Sequence, residues 1–254
     1  MRTVGVVLAG GYGSRLLPLT KAVSKHLLPV RGQPMLHWPI RTLAGLGVDF
    51  AVVVVGGRSC GEIVEHFGSR YETDLGAVSL CYVLQDWAGG LPDAIRASRR
   101  VVEETGADRL VVVLGDNVFP DVPTDLVVAL AAAPPDVSAF VVKPDVSNPS
   151  AYGCTAVRVL PDGRREAFGP LVEKPSAPPP EGSTWGAVLG LYVLPARCFE
   201  AIDALRPSAR GELEIVDLLQ SFLTVAAFHD GPWIDAGEHA TYATANDLWM
   251  YVRP

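Results

Sequence analysis

The sequence predicts an α/β fold, a mixed but mostly parallel sheet flanked by helices. Three observations carry this. Val-rich runs such as "VVVV" and "LVVVL" are apolar at every position, as strands covered on both faces are. Helix-like segments of about 10–15 residues separate them, the spacing of βαβ units. The 254 residues are 49% hydrophobic and 19% charged, enough to bury a sizeable core and too apolar for disorder.

The elements follow in order. Strands are expected at Val4–Leu8, Phe50–Val55, Leu80–Leu84, Leu110–Leu114, Ala139–Val142, Thr155–Val159 and Val188–Leu194. Helices are expected at Pro39–Leu46, Cys60–Phe67, Leu91–Glu104 and Thr124–Ala133. The N-terminal apolar stretch runs straight into glycines and reads as a first strand rather than a signal peptide. No apolar run reaches the ~18 residues of a membrane span. After about residue 144 the texture turns loop-rich, with "PDVSNPSAYG" and "KPSAPPPEGSTWG". Cys60, Cys81, Cys154 and Cys198 lie far apart without a CxxC pair. They read as buried, reduced thiols of a cytoplasmic protein.

Charge is unevenly placed. The chain carries −7 overall, which argues against broad nucleic-acid binding. Residues 1–48 nevertheless hold Arg2, Arg15, Lys21, Lys25, Arg31 and Arg41 and no acid. An acid-free basic entrance on an acidic protein suits a small polyanion. Two of the four lysines sit in "LAGGYGSRLLPLTKAVSKHLLPV".

In parallel sheets ligands bind beyond the carboxyl ends of the strands. Three loops leave such ends, "AGGYGSR", "QDWAGGL" and "GDN", and should converge. Glycine-rich turns let backbone N–H groups approach phosphates closely. The first loop fails both familiar motifs. No Lys stands where a P-loop needs it. "GYGSRL" puts Leu16 where the dinucleotide fingerprint needs its third glycine. A distinct phosphate loop remains, with Arg15 as its fixed cation. Asp116, at the end of an apolar strand, suits a magnesium ligand, because Mg²⁺ takes one or two carboxylates plus substrate phosphates. Asp235 in "WIDAG" is a candidate second carboxylate or a helix cap. Glu173 and Lys174 in "LVEKP" are candidates for sugar and phosphate contacts or a plain surface ion pair.

The ordered set "LAGGYGSRLLPLT", "SKHLLPV", "QPM", Gln85 before "GGL", "GDN", "AYG", "VEKP", "GLY", "RGELEIVDL" and "WIDAG" resembles the sugar-1-phosphate nucleotidyltransferases. It looks most like the glucose-1-phosphate thymidylyltransferases, over residues 3 to 247. The resemblance implies a Rossmann-like nucleotide-diphospho-sugar transferase fold. It also implies one domain over 1–254, with a nucleotide-binding part at about 1–143, a sugar-phosphate-binding part at about 144–239 and a short C-terminal helix over 240–254. The implied reaction joins a sugar 1-phosphate to a nucleoside triphosphate, dTTP or UTP, releasing pyrophosphate with Mg²⁺. The expected setting is antibiotic or surface-sugar biosynthesis.

The implied site residues follow. Leu8, Gly10, Gly11, Gly13 and Ser14 would line the nucleotide. Arg15 would hold the triphosphate and the leaving pyrophosphate, and Lys25 would lie between the reacting phosphates. Gln85 and Gly90 would read the base. Asp116 and Asp235 would bind Mg²⁺. Leu114, Tyr152, Gly153, Glu173, Lys174, Val188 and Arg210 would face the sugar phosphate. A homo-oligomer, dimer or tetramer, is expected, with no nucleic-acid or membrane partner. Gly89, Pro92, Asp93, Leu189 and His26 depart from the family pattern. The first four leave a guanylyl- or cytidylyltransferase for an unusual sugar phosphate as the alternative. A catalytically inactive sugar-nucleotide regulator is the remaining one.

Overall fold

The computed structural model describes residues 1–57, 60–86, 89–123, 125–126, 134 and 136–247. Strands β1 (Thr3–Ala9), β4 (Phe50–Gly56), β6 (Gly76–Gln85) and β7 (Arg109–Leu114) form the parallel centre of a ten-stranded sheet, with β7 and β4 on either side of β1 and β6 beyond β4. Between the first two of these lies a small ladder, β2 (Pro29–Val30) with β3 (Gln33–Pro34). Strand β5 (Arg70–Thr73) closes one edge antiparallel to β6.

The loop-rich later half joins the same sheet. Strand β12 (Thr184–Pro195) pairs antiparallel with β7, and β10 (Gly153–Val159) and β11 (Arg165–Glu173) continue outward from it. Strands β9 (Ser138–Lys143) and β13 (Thr224–Phe228) branch off β12. A separate two-stranded ladder pairs β8 (Asn117–Val118) with β14 (Ile234–Asp235).

Both faces of the centre are covered, as apolar-throughout strands require. Along β1, Val7 and Ala9 pack on one core cluster with Leu36, Ile40, Leu43, Ile63 and Phe67. These come from or adjoin α1 (His37–Gly45) and α2 (Cys60–Phe67). The alternate residues Val4, Val6 and Leu8 pack on the other face with Ile95, Phe199 and Leu218. The latter belong to α3 (Leu91–Ala97), α5 (Cys198–Ala204) and α6 (Ile215–Gln220). Ile63 and Phe67, four residues apart, are α2's buried stripe. Truncating such a core side chain to Ala costs about 2–5 kcal/mol.

The single helix expected over Leu91–Glu104 is two. It breaks at Ser98 into α3 and α4 (Arg99–Thr105). The Ser98 hydroxyl donates to the Ile95 carbonyl at 2.7 Å, the local competition that makes serine a helix-boundary residue. Most of the helix expected over Thr124–Ala133 lies outside the described residues. So does the end of the C-terminal helix, described as α7 (His239–Asp247). All four cysteines are free. Cys154 and Cys198 are buried as expected, but Cys60 and Cys81 are partly exposed. Among the described residues no helix is long and apolar enough to cross a membrane.

Candidate active site

Register brings the three expected loops to one edge. Leu8 pairs with Leu114, so Gly10 and Asp116 leave the sheet at the same level. Ala9 pairs with Val55, and Gly56 with Gln85. The Gln85 side chain therefore reaches Gly10, where any added Cβ would overlap its Oε1. A Cβ on Gly56 would stand 2.8 Å from the Gly10 carbonyl. Bare backbone is what lets the first loop lie down on its neighbours.

The loop then turns sharply. Gly13 has φ 68°, which suits glycine, and a short 3₁₀ turn over Ser14–Leu16 follows it rather than an α-helix. Thr20 donates to the Gly13 carbonyl at 2.7 Å, closing the loop over seven residues. A later 3₁₀ turn, Lys25–Leu27, is capped by Ser24, which accepts from the His26 amide. This turn aims Lys25 inward: Lys25 Nζ donates to Asp116 Oδ2 at 2.5 Å, and the side chains are only 11% and 12% exposed.

Asp235 arrives by a route that spacing could not reveal. The ladder of β8 with β14 pairs it with Asn117, and the Ala236 amide donates to the Asp116 carbonyl at 2.9 Å. A Cβ built on Gly237 would lie 2.9 Å from Asp235 Oδ1, 3.0 Å from Asp116 Oδ2 and 3.7 Å from Arg15 Nη2. Two carboxylates and a guanidinium thus flank one small space, kept open by a glycine. Asp235 is no helix cap; its Oδ1 accepts from the Gly237 amide at 2.9 Å.

The electrostatics follow. Burial works to raise the Asp116 carboxyl, but Lys25, with smaller help from His26 and Asn117, holds it down to about 2. Asp235 goes the other way, to about 6, through burial and then the Asp116 charge. Two acids that repel at short range, one already neutralised by Lys25, form an oxygen-donor pair suited to a hard divalent cation. Partial desolvation works to lower the Arg15 pKa, but Glu238, Asp235 and Asp116 outweigh it and raise the pKa.

His26 is fully buried, and its ring lies 2.8 and 2.9 Å from where a Gly115 Cβ would be. Burial and Lys25 lower its pKa to about 3, so the ring is neutral. It is a packing block under the "GDN" turn, not a substrate contact. Two residues that the sequence reading left without a role belong here. Asn117 donates to Asp116 Oδ1 at 3.1 Å while its carbonyl accepts from Trp233 Nε1 at 2.7 Å and the Gly190 amide at 3.2 Å. It orients the carboxylate; its place beside Asp116 was the only signal. Glu238 pairs with Arg15 Nη1 at 2.6 Å.

The expected sugar-phosphate residues gather around the end of β11 and the start of β10. Tyr152 stacks edge-on to Trp233, with ring centroids 5.5 Å apart. Burial, then Asp235 and Glu238, raise its hydroxyl pKa. A Cβ on Gly153 would stand 3.2 Å from Glu173 Oε2. Glu173 does not pair with Lys174; it accepts from Arg210 Nη2 at 3.2 Å. Burial and Glu214 raise the Glu173 carboxyl. Lys174 is exposed, donates its amide to the Tyr152 carbonyl at 3.0 Å and sits at φ 47°. A left-handed, non-glycine residue is strained and clusters at functional sites. Leu114 is partly exposed, whereas Val188 is buried on the core face opposite Leu189. Leu189 is fully buried in the cluster that Tyr152 and Trp233 pack against, so it backs the pocket rather than lining it.

Gly90 joins the two halves. It has φ 100°, and the Leu213 amide donates to the Gly89 carbonyl at 2.8 Å. Any side chain on Gly90 would overlap the Leu213 carbonyl. Asp93 Oδ2 accepts weakly from the Gly89 amide at 3.4 Å and pairs with Arg96. Trp87 and Ala88 of this loop lie outside the described residues.

The nucleotidyl transferase family matches residues 4–250. Among curated relatives, Agl11 of Haloferax volcanii, a low-salt glycan biosynthesis nucleotidyltransferase, is 34% identical over 96% of this chain, which spans 65% of that protein's length. The glucose-1-phosphate thymidylyltransferase of Neisseria meningitidis is 34% identical over 92% of this chain and 78% of its own. A Bacillus anthracis crystal structure, of a candidate glucose-1-phosphate thymidylyltransferase with sucrose, superposes with TM-score 0.80 at 33% identity. That match covers 99% of this chain and 97% of the other. A UDP-glucose pyrophosphorylase structure, at 23% identity and TM-score 0.80, shares the fold. The chain belongs to the nucleotidyl transferase family, in the group of sugar-1-phosphate nucleotidyltransferases.

Proposed function

We propose that this protein transfers a thymidylyl or uridylyl group from dTTP or UTP to a hexose 1-phosphate. The observation that carries this reading is the cluster of Lys25, Asp116, Asp235 and Arg15 at the rim of the glycine loop. Two phosphate-bearing reactants repel each other, and the cluster offers two cations, Lys25 and Arg15, to offset their charge. Lys25 would lie between the reacting phosphates and Arg15 on the triphosphate. Lys174 and Arg210 would hold the sugar phosphate, and the strained backbone of Lys174 supports a functional role there.

The chemistry is one displacement. A sugar-phosphate oxygen forms a bond to the α-phosphorus, and the bond from that phosphorus to the α–β bridging oxygen breaks. Pyrophosphate leaves with the electron pair, and no proton need move. Such transfer asks for positioning and charge neutralisation rather than covalent help. Asp116 and Asp235 would hold Mg²⁺, which supplies neutralisation of phosphate charge when bound. Gln85 would present its carboxamide to the carbonyl and N–H of a uracil-type edge, with Gly90 alongside.

Pyrophosphate release with dTTP, UTP, CTP, GTP and ATP, each paired with several hexose and heptose 1-phosphates, tests the reading. Preference for dTTP or UTP is expected. Preference for GTP or CTP would assign the altered loop at Gly89, Pro92 and Asp93 to another base.

A further inference from the structure

Arg15, which would hold the triphosphate, already has an anion. Its Nη1 lies 2.6 Å from Glu238 Oε1, and the two side chains are 62% and 56% exposed. The next three polar contacts of the same segment do not depend on that pair. His239 Nε2 meets the Leu17 carbonyl at 2.7 Å, the Tyr242 hydroxyl donates to the Pro29 carbonyl at 2.8 Å, and Asn246 Oδ1 accepts from the Arg31 amide at 2.9 Å. Helix α7 buries only Ala245 among its described residues, so these polar contacts hold it across the basic segment. Glu238 therefore stays beside Arg15 whether or not the pair is closed.

We infer that Glu238 is a built-in competitor for Arg15, occupying the guanidinium before the triphosphate arrives and reclaiming it as pyrophosphate departs. The inference rests on the role proposed for Arg15. An exposed pair is weak and screened by salt, so a polyphosphate displaces it readily. The guanidinium that Glu238 holds is the one that borders the space between the carboxylates, its Nη2 3.7 Å from where a Gly237 Cβ would stand. Competition for the one guanidinium weakens polyphosphate binding and hastens release.

The test compares wild type, Glu238→Gln, Arg15→Met and the double variant. Glu238→Gln should lower the KM for dTTP and the inhibition constant of pyrophosphate by up to about fivefold, the weight of an exposed ion pair. The KM for the sugar phosphate should not move, and the difference should shrink in high salt. In the Arg15→Met background the Glu238 change should have no effect on either constant. Weaker dTTP binding in Glu238→Gln, or an equal change without Arg15, would overturn the inference. Unchanged dTTP and pyrophosphate constants in Arg15→Met alone would instead overturn the role of Arg15. The three other helix contacts keep Glu238→Gln folded, and its melting temperature verifies this.

Discussion

Asp235→Asn should make the metal-free protein more stable at neutral pH. Asp235 is held near 6 by burial and by Asp116, against 3.8 in the unfolded chain. A raised carboxylate contributes stability that is complete below the unfolded value and lost as pH climbs through the folded one. At pH 7.5 the ionised group therefore costs the fold about 3 kcal/mol, taking roughly 1.4 kcal/mol for each unit. Asparagine removes the charge at nearly the same shape. It retains an oxygen for the Gly237 amide, although the neutral bond is weaker by about 1 kcal/mol. The net gain is about 1–2 kcal/mol, or roughly 2–8 °C in melting temperature for a chain of this size. Thermal melts in EDTA at pH 7.5 and pH 5 measure it. The gap between variant and wild type should be clear at pH 7.5 and shrink toward pH 5, where the native aspartate takes up its proton. Mg²⁺ should raise the melting temperature of the wild type and not of the variant. A variant that melts lower at pH 7.5, or by the same offset at both pH values, would refute the reasoning.

Three further outcomes are expected. Lys25→Met should lower kcat by about 10²–10³, as loss of a charge aimed at reacting phosphates does, with smaller changes in KM; single-turnover rates check this. Gly90→Ala should raise the KM for the nucleotide at least about tenfold, because its φ of 100° and the Leu213 carbonyl leave no room for a methyl group; calorimetric titration with dTTP reads it. Arg210→Ala should raise the KM for the sugar phosphate about tenfold, the effect of one partly exposed charged hydrogen bond, because Glu173 and Glu214 then face each other unneutralised.

The parallel centre was plain in the sequence because β1, β4 and β7 are buried on both faces and lack polar residues between their ends. Strand β6 extends four residues before its expected start, since its half-exposed residues break the run. Strands β5, β11 and β13 escaped notice for the same reason: edge and branch positions leave polar or small residues on one side. At the site, "AGGYGSR" and "GDN" stood out because their glycines and single charges interrupt apolar strands. The meeting of Asp116 with Asp235 did not, for it depends on the pairing of β14 with β8 across more than a hundred residues. Glu238 was hidden likewise, its partner Arg15 being 223 positions away. His26 had no family reason in the sequence; its reason is the space beneath Gly115.

The α-phosphorus of a pyrimidine nucleoside triphosphate, with its nucleoside, should move to a sugar phosphate at this cluster. Incubation with Mg²⁺, glucose 1-phosphate and dTTP labelled at either the α- or the γ-phosphate, followed by chromatographic separation, tests it directly. The α-label should enter a nucleotide sugar and the γ-label pyrophosphate, and the two should form in equal amounts. Free dTMP in place of the sugar nucleotide, or release of γ-label as inorganic phosphate, would contradict it.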